Sequence, residues 1–244
     1  MVDHAGERVY GQDIVETEVR LAAVIVAIAL FVLAAVGYVL ACERSAGRLI
    51  HVAKPLMMPL LAAAYLLASQ SPTYWIAAGL LLGAVGDTAL IEPERGNRFL
   101  IGLGAFLLGH LAYVAGLLAP VIRAETSLEP WMLLAAAVLA VVGLFVYRQL
   151  RPGLGSMKVP VLTYTAVILA MALAALLRAP VVSGPAFWLP LSGAVFFVVS
   201  DTALAYRAFR SPFPYAGQVV AVTYVLAQSL IVAGVALGEG LALL

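Results

Sequence analysis

Long runs of apolar residues, separated by short polar loops, dominate the chain. Residues 21–41 form one run without a charged side chain, and a helix of this length suffices to cross a membrane. The runs do not alternate between apolar and polar residues, which predicts helices rather than the strands of a barrel. A window of about 20 residues separates eight predicted spans: 21–41, 49–68, 74–91, 98–122, 131–148, 157–178, 186–206 and 216–238.

The loops between the predicted spans are short and contain proline, glycine and polar residues, which end helices. None of these loops is long enough to hold a soluble domain. Residues 1–20 mix acidic and basic side chains and differ from the basic leader of a signal peptide. We therefore predict an all-α fold, a polytopic transmembrane bundle of about eight helices, with a polar N-terminal segment (1–20) before a single transmembrane domain (21–240).

Composition supports a membrane protein and excludes several other classes. Of the 244 residues, 64% are hydrophobic and 11% are charged, whereas soluble domains are about half apolar and about a quarter charged. The net charge of +1 provides no basic face for nucleic acid. Cys42 is the only cysteine, which excludes an intramolecular disulfide and a cysteine zinc site. The lipid bilayer is the expected partner, and the sequence leaves the oligomeric state open.

The distribution of lysine and arginine between the loops predicts the orientation. The loops after the odd-numbered spans hold nine basic residues, and the opposite side holds four. Because basic residues accumulate on the cytoplasmic side, we expect both termini outside, in a bacterial-type plasma membrane. The nine are Arg44, Arg48, Arg95, Arg98, Arg148, Arg151, Lys158, Arg207 and Arg210, and the four are Arg8, Arg20, Arg123 and Arg178.

A short motif occurs twice and predicts an internal repeat. Gly86–Leu90 closes the third span, Ser200–Leu204 closes the seventh, and both contain the sequence Asp-Thr-Ala-Leu. Lys54 lies early in the second span next to a proline, and Lys158 lies near Pro160 at the start of the sixth. We therefore predict a three-helix repeat, in which spans two to four and six to eight flank a middle helix.

The repeat places two aspartates, Asp87 and Asp201, at similar depth. Spans three and seven run in the same direction, and each aspartate is expected near the C-terminal end of its helix, on the predicted cytoplasmic side. At a rise of about 1.5 Å per residue, further polar side chains of the spans fall in the same half of the membrane. They are Lys54, His110, Tyr113, Tyr164, Tyr224 and Gln228.

Ionisable residues inside a span are costly and usually mark a function. The structural alternative is that each aspartate ends its helix or pairs with Lys54 or a loop arginine. Two aspartates at matched positions, with Lys54 and His110 nearby, favour a functional site. A carboxylate at a helix C-terminus also faces the unfavourable end of the helix dipole.

Several segments together resemble a known family. They are His51–Leu56, Gly86–Leu90, Phe106–Tyr113, Gly193–Phe197, Ser200–Tyr206 and Thr223–Gln228. In this order, over roughly residues 20–238, they resemble the YhhN-type lysoplasmalogenase family of integral membrane proteins. The resemblance implies about eight membrane helices and hydrolysis of the vinyl-ether bond of lysoplasmalogens, which yields a fatty aldehyde and glycerophosphoethanolamine or glycerophosphocholine. It also implies that Asp87 and Asp201 are the catalytic pair.

Two carboxyl groups suit this chemistry. A vinyl ether is protonated at its β-carbon, and water captures the resulting oxocarbenium ion, so the reaction needs an acid, an anion and a base. Two neighbouring carboxyls at low dielectric do not both ionise easily, and glycosidases divide an oxocarbenium-like transition state between two carboxyls. We predict Asp87 and Asp201 as this pair, with the acid left open between them, and we expect no metal or cofactor.

The other polar residues of the spans are predicted to bind a lysophospholipid substrate. Lys54 would bind its phosphate as a point charge. Side chains on other spans would bind the lipid and orient the water or the glycerol hydroxyl. These are His110, Tyr113, Tyr164, Tyr224 and Gln228.

Two rival hypotheses remain. Parallel repeats and intramembrane aspartate and lysine residues also occur in carriers, so a transporter of small molecules or lipids, or a lipid-binding membrane protein, is the alternative from another class. Hydrolysis of a different lysolipid bond is a second rival, for which the sequence offers no serine nucleophile constellation.

Overall fold

A computed structural model of the chain consists of α-helices joined by short loops. It describes the backbone of residues 4–44, 47–127 and 129–242, and the side chains of residues 15–42, 47–127 and 129–242. The side chains of Arg8 and Arg44, counted above for the orientation, lie outside the described residues. The helices are α1 His4–Arg44, α2 Gly47–Ala68, α3 Tyr74–Ala89, α4 Arg98–Arg123, α5 Pro130–Leu150, α6 Lys158–Leu176, α7 Pro185–Phe209 and α8 Ala216–Glu239.

The predicted all-α bundle of eight helices is confirmed for the described residues. Seven helices are long and apolar enough to cross a membrane. The third, α3, is apolar but has only 16 residues, because the chain leaves the helix after Ala89 rather than at the predicted residue 91. The first helix extends beyond the predicted span 21–41, since α1 already begins at His4, and the part of it that is apolar enough to cross a membrane is Val15–Cys42. The described part of the polar N-terminal segment therefore continues this helix.

The seventh helix also extends past its predicted end at residue 206. It runs to Phe209. Pro212 follows shortly after, and because the residue before a proline prefers extended backbone, the helix cannot continue. Asp201 therefore lies about two turns before the end of α7, whereas Asp87 lies in the last turn of α3. Because the dipole acts only within the last turn, the expectation that both aspartates face an unfavourable helix end was wrong for Asp201.

Close packing within the two predicted repeats occurs at equivalent positions. Gly79 of α3 faces the ring of Tyr113 on α4, and an added Cβ would lie 2.6 Å from it. Gly193 of α7 faces Ala227 on α8, and an added Cβ would lie 2.7 Å from its carbonyl oxygen. Each residue of the second pair follows its counterpart by 114 residues, as the two Asp-Thr-Ala-Leu motifs do. The equivalent contacts support the predicted repeat.

Contacts between the repeats follow the same relation. The last helix of the first repeat, α4, contacts the first helix of the second, α6. The last helix of the second repeat, α8, contacts the first helix of the first, α2. The contact between α4 and α6 is therefore the equivalent of the contact between α8 and α2. This arrangement places α3 and α7 on either side of a shared interior.

The end of the bundle away from the aspartates is joined by polar contacts. The Glu239 carboxylate at the end of α8 accepts hydrogen bonds from Tyr65 Oη (2.8 Å), Ser69 Oγ (2.7 Å) and the N–H of Thr73 (2.9 Å). Arg20 of α1 donates to the carbonyl oxygen of Ser69 at 3.1 Å. The ends of α2 and α8 thus meet the start of α3 at the depth of Arg20, as an alternating up-and-down topology requires.

Candidate active site

Asp87 is buried between three helices and has a cationic partner. Its residue is only 2% exposed. Lys54 of α2 places its Nζ 3.5 Å from Asp87 Oδ1, and Tyr224 of α8 donates its hydroxyl to Oδ2 at 2.7 Å. Both interactions favour a carboxylate at this position because a cation and a hydrogen-bond donor stabilise negative charge.

Asp201 has a different set of partners. Tyr164 of α6 donates its hydroxyl to Asp201 Oδ2, and His110 Nε2 of α4 lies 3.9 Å from the same oxygen. The other ring nitrogen, His110 Nδ1, lies 2.6 Å from the carbonyl oxygen of Phe106. A carbonyl only accepts, so Nδ1 carries the proton and a neutral ring presents a lone pair at Nε2. Among the described residues, Nε2 has no hydrogen-bond partner.

The partners of the two aspartates are related by the repeat. Tyr224 follows His110 by 114 residues, which is also the separation of Asp87 and Asp201. Each aspartate therefore faces the last helix of the opposite repeat: Asp87 faces α8 and Asp201 faces α4. The lysines break this symmetry, because Lys54 is mostly buried against Asp87 whereas Lys158 is exposed at the start of α6.

Both aspartates line one polar cavity of about 190 Å³. Lys54 and Tyr224 contribute to its wall, and Arg207 lies at its exposed rim. The predicted convergence of Lys54, Tyr224 and the aspartates on one half of the bundle therefore occurs in the structure.

A second, apolar cavity of about 270 Å³ adjoins the polar one. It lies between α4, α5, α6 and α7, and its lining is aliphatic and aromatic apart from a few polar groups. Asp201 and Tyr164 are among these polar groups, and Asp87 does not line this cavity. Asp201, Phe106 and Arg207 are shared by both cavities, so Asp201 lies where an apolar space meets a polar one.

Three of the predicted site residues lie behind the cavity walls. Tyr113 donates a hydrogen bond to Gln228 Oε1, and both side chains are buried. Gln228 lies beside Tyr224, since a Cβ added to Gly83 would be 3.4 Å from Gln228 Nε2 and 3.2 Å from Tyr224 Oη. His110 contacts Asp201 from behind, and none of these three residues lines either cavity. Their assignment to substrate binding stays a prediction.

The structure adds two residues that the sequence did not single out. The ring of Tyr38 on α1 lies 5.8 Å from Lys54 Nζ, within the range of a cation–π interaction, and it lines the polar cavity. Arg207 was counted as a loop charge because the seventh span was predicted to end at residue 206. The extension of α7 brings this arginine to the rim of both cavities.

These features define a class, the integral multi-pass membrane proteins with a buried acidic site that opens into an apolar cavity. The YhhN family model matches residues 49–235. The chain belongs to the YhhN family. No solved structure matches the chain.

Curated relatives of the chain are named lysoplasmalogenases. Lysoplasmalogenase TMEM86B of Sus scrofa is 40% identical over 154 residues, which cover 62% of this chain and 59% of the relative. The lysoplasmalogenase of Mycobacterium tuberculosis (strain CDC 1551 / Oshkosh) is 32% identical over 165 residues, 68% of this chain and 61% of the relative. Lysoplasmalogenase TMEM86B of Homo sapiens is 33% identical over 178 residues, 71% and 70%. The chain thus spans about three fifths of the pig and mycobacterial proteins.

Proposed function

We propose that the protein is a membrane-embedded hydrolase that cleaves the vinyl-ether bond of lysoplasmalogens by acid/base catalysis. The observation that carries this proposal is that two unlike aspartates, Asp87 and Asp201, line one polar cavity, and that Asp201 also lines the adjoining apolar cavity. A single-chain ether lipid has the same division, since its reactive bond joins a polar glycerophosphate to a hydrocarbon chain. The names of the curated relatives support the same reaction.

Asp201 is the proposed acid. In a vinyl ether the β-carbon belongs to the hydrocarbon chain, so the proton has to arrive from the chain side of the bond. Asp201 lines the apolar cavity and Asp87 does not. The lone pair of His110 Nε2 faces Asp201, which suits a carboxyl group that carries a proton, because an acceptor opposes a negative charge at that position.

Asp87 is the proposed anion and base. Its partners are Lys54 and the Tyr224 hydroxyl, a cation and a donor, and both stabilise a carboxylate. A fixed carboxylate beside the ether carbon stabilises the oxocarbenium ion without solvent reorganisation. The same carboxylate accepts a proton from the water that attacks this carbon.

The proton balance closes within the pair. Asp201 gives its proton to the β-carbon, and the ether α-carbon becomes the cation. Water adds to the α-carbon while its proton passes to Asp87, which gives a hemiacetal. The hemiacetal then collapses: Asp87 returns a proton to the departing glycerol oxygen, and Asp201 takes the proton of the hemiacetal hydroxyl. The products are a fatty aldehyde and glycerophosphoethanolamine or glycerophosphocholine, and both aspartates regain their starting forms.

The remaining residues divide between binding and positioning. Arg207, at the rim of both cavities, is proposed to bind the lipid phosphate. Lys54 reaches the phosphate less directly because it already pairs with Asp87. Tyr113 and Gln228 hold Tyr224 from behind the cavity wall, which makes them positioning residues. Of the residues that the sequence predicts to bind the substrate, Tyr164 lines the apolar cavity.

The deciding experiment measures aldehyde release by the purified protein. A lysoplasmalogen and its saturated ether analogue are incubated separately with the protein in detergent, in H₂O and in D₂O. Release from the vinyl ether alone, with one deuterium on the aldehyde carbon next to the carbonyl in D₂O, is expected because that carbon receives the proton. No release from either lipid would overturn the proposal, and lipid flux in proteoliposomes without release would favour the transporter alternative.

We also propose a bacterial-type plasma membrane, a single transmembrane domain at residues 21–240 and both termini outside. The excess of nine basic residues over four on the predicted cytoplasmic side supports this orientation. Reporters active on only one side of the membrane, fused after residue 244 or inserted in the loop at residues 92–97, test it. If a reporter that is active only outside the cell is active in this loop, the orientation is the opposite of the one proposed.

A further inference from the structure

The fifth helix is the most loosely held of the seven long helices. In the most apolar stretch of this helix only 11% of the residues are buried, whereas the same fraction is at least 28% in every other long helix. Its main neighbour is α6, with a smaller contact to α7. The buried residues of α5 are Met132 and Leu150 near its ends and Gly143 in its middle, so most of its surface faces the bilayer.

An apolar groove of about 370 Å³ runs between α5 and α6. It reaches from Leu144 and Leu162 to Ala136 and Leu173, away from the aspartates. Its lining consists of alanine, leucine and glycine residues and of Thr165, which is the one lining residue with a polar side chain. The groove therefore suits hydrocarbon.

This groove meets the apolar cavity that contains Asp201. Gly143, Thr165 and Leu169 line both spaces. The two apolar spaces therefore adjoin at these three residues, and together they define a route from Asp201 into the groove between α5 and α6. The polar cavity opens from the other side of Asp201, so the route has one polar end and one apolar end.

Gly143 and the Leu169 side chain pack against each other where the two spaces meet. A Cβ added to this glycine would collide with Leu169 Cδ1 and would lie 3.6 Å from Thr165 Cγ2. The absence of a side chain at residue 143 and the position of the Leu169 side chain therefore limit the passage between the two spaces at this point. Because Leu169 Cδ1 is the free end of a flexible side chain, small changes here alter the passage without disturbing the backbone.

We propose that the hydrocarbon chain of the substrate enters sideways from the bilayer between α5 and α6 and lies along this route. Gly143 and Leu169 then form the constriction that determines which chain lengths are accepted. This inference rests on the proposed function, which supplies the single-chain lipid. A chain that ends before the constriction does not meet these residues, whereas a longer chain has to pass between them.

The test compares a short-chain and a long-chain lysoplasmalogen with the same headgroup. In Leu169→Ala the passage is wider, and the ratio of kcat/KM for the long chain over the short chain is expected to rise severalfold. In Gly143→Ala the passage is narrower, and the same ratio is expected to fall severalfold with the short-chain value retained. Gly104→Ala is the matched control, because an added Cβ there meets nothing within 4 Å.

An unchanged ratio in both variants, with the wild type active, would overturn the chain route and leave the proposed function standing. A wild type inactive on every vinyl ether would overturn the proposed function instead. A second readout is independent of turnover: a saturated ether lysophosphatidylethanolamine with a diazirine at its chain end is cross-linked to the full chain in detergent. Attachment within 136–144 or 162–173 is expected, and attachment confined to α1 or α8 would refute the route.

Discussion

Tyr224 and His110 occupy equivalent positions in the two repeats, yet they act on their aspartates in opposite ways. Tyr224 donates a hydroxyl proton to Asp87 at 2.7 Å, whereas His110 presents Nε2 to Asp201 at 3.9 Å. Two copies of one structural unit thus place a donor, the Tyr224 hydroxyl, on Asp87 and an acceptor, His110 Nε2, beside Asp201, whose hydroxyl donor Tyr164 comes from a different helix, α6. A reaction that needs an acid and an anion at the same moment requires this difference.

Replacing either aspartate by asparagine is expected to abolish aldehyde release. Asp87→Asn and Asp201→Asn should each lower kcat by at least about 100-fold, which is the usual contribution of general acid–base catalysis. Asparagine keeps the size of the side chain, so the thermal unfolding temperature in detergent should stay close to that of the wild type. Glu94→Gln, in an exposed loop, is the control, and near-normal activity of both aspartate variants would exclude the dyad.

Lys54 is expected to act on the rate more than on substrate affinity. Because its Nζ lies 3.5 Å from Asp87, Lys54→Met removes the cation that favours the anionic form of the base. We expect kcat to fall about tenfold or more, with a smaller change in KM. Lys54→Arg keeps the charge and should retain more activity than Lys54→Met. A rise in KM alone would show that Lys54 serves the phosphate.

Arg207 is expected to show the opposite pattern. In Arg207→Gln the KM for a lysoplasmalogen should rise about fivefold, since an exposed ion pair contributes up to about 1 kcal/mol, while kcat changes little. Arg210→Gln is the matched control, because this arginine is also exposed at the end of α7 but lines neither cavity. Equal effects of the two variants would indicate a general charge effect instead of a phosphate contact.

The contact between α3 and α4 can be tested through Gly79. An added Cβ would lie 2.6 Å from the ring of Tyr113, and overpacking of this kind typically costs about 1–3 kcal/mol. Gly79→Ala should therefore lower the unfolding temperature in detergent. Gly104→Ala, on α4, is the control, because its added Cβ has no neighbour within 4 Å. It should be neutral or slightly stabilising, because alanine favours helix.

Glu239 is expected to stabilise the fold without affecting catalysis. Glu239→Gln weakens the hydrogen bonds from Tyr65 and Ser69. It also removes the negative charge near Arg178, where burial lowers the pKa of the guanidinium and Glu239 raises it. The loss of a partner for buried polar groups typically costs about 1–3 kcal/mol, which should appear as a lower unfolding temperature. Glu125→Gln, in an exposed loop, should unfold like the wild type, and both variants should keep kcat.

The helices were predictable because membrane crossing imposes a local requirement. Apolar runs of sufficient length predicted the bounds of α2, α3, α4, α5, α6 and α8 to within about two residues. The errors arose where other rules act. The polar start of α1 is helical because its glutamates and arginines are good helix formers, and α7 continues until Pro212 approaches.

The site was predictable in its members but not in its pairings. Asp87 and Asp201 stood out because charges within spans are rare, and the repeated motif placed them at one depth. The sequence did not indicate that Asp87 faces Tyr224 and Asp201 faces His110, because helix order in a bundle depends on packing between distant segments. Tyr38 and Arg207 lacked a motif and are recognised only from the cavities they line.

The loosely held fifth helix has a consequence for how such a chain can arise. A unit of three helices begins and ends on opposite sides of the membrane, so a direct repeat would point the other way. One additional membrane crossing gives the second repeat the same direction as the first, and α5 provides this crossing between α4 and α6. A helix needed only to return the chain carries little of the packing, and α5 forms the wall that separates the apolar cavity from the lipid.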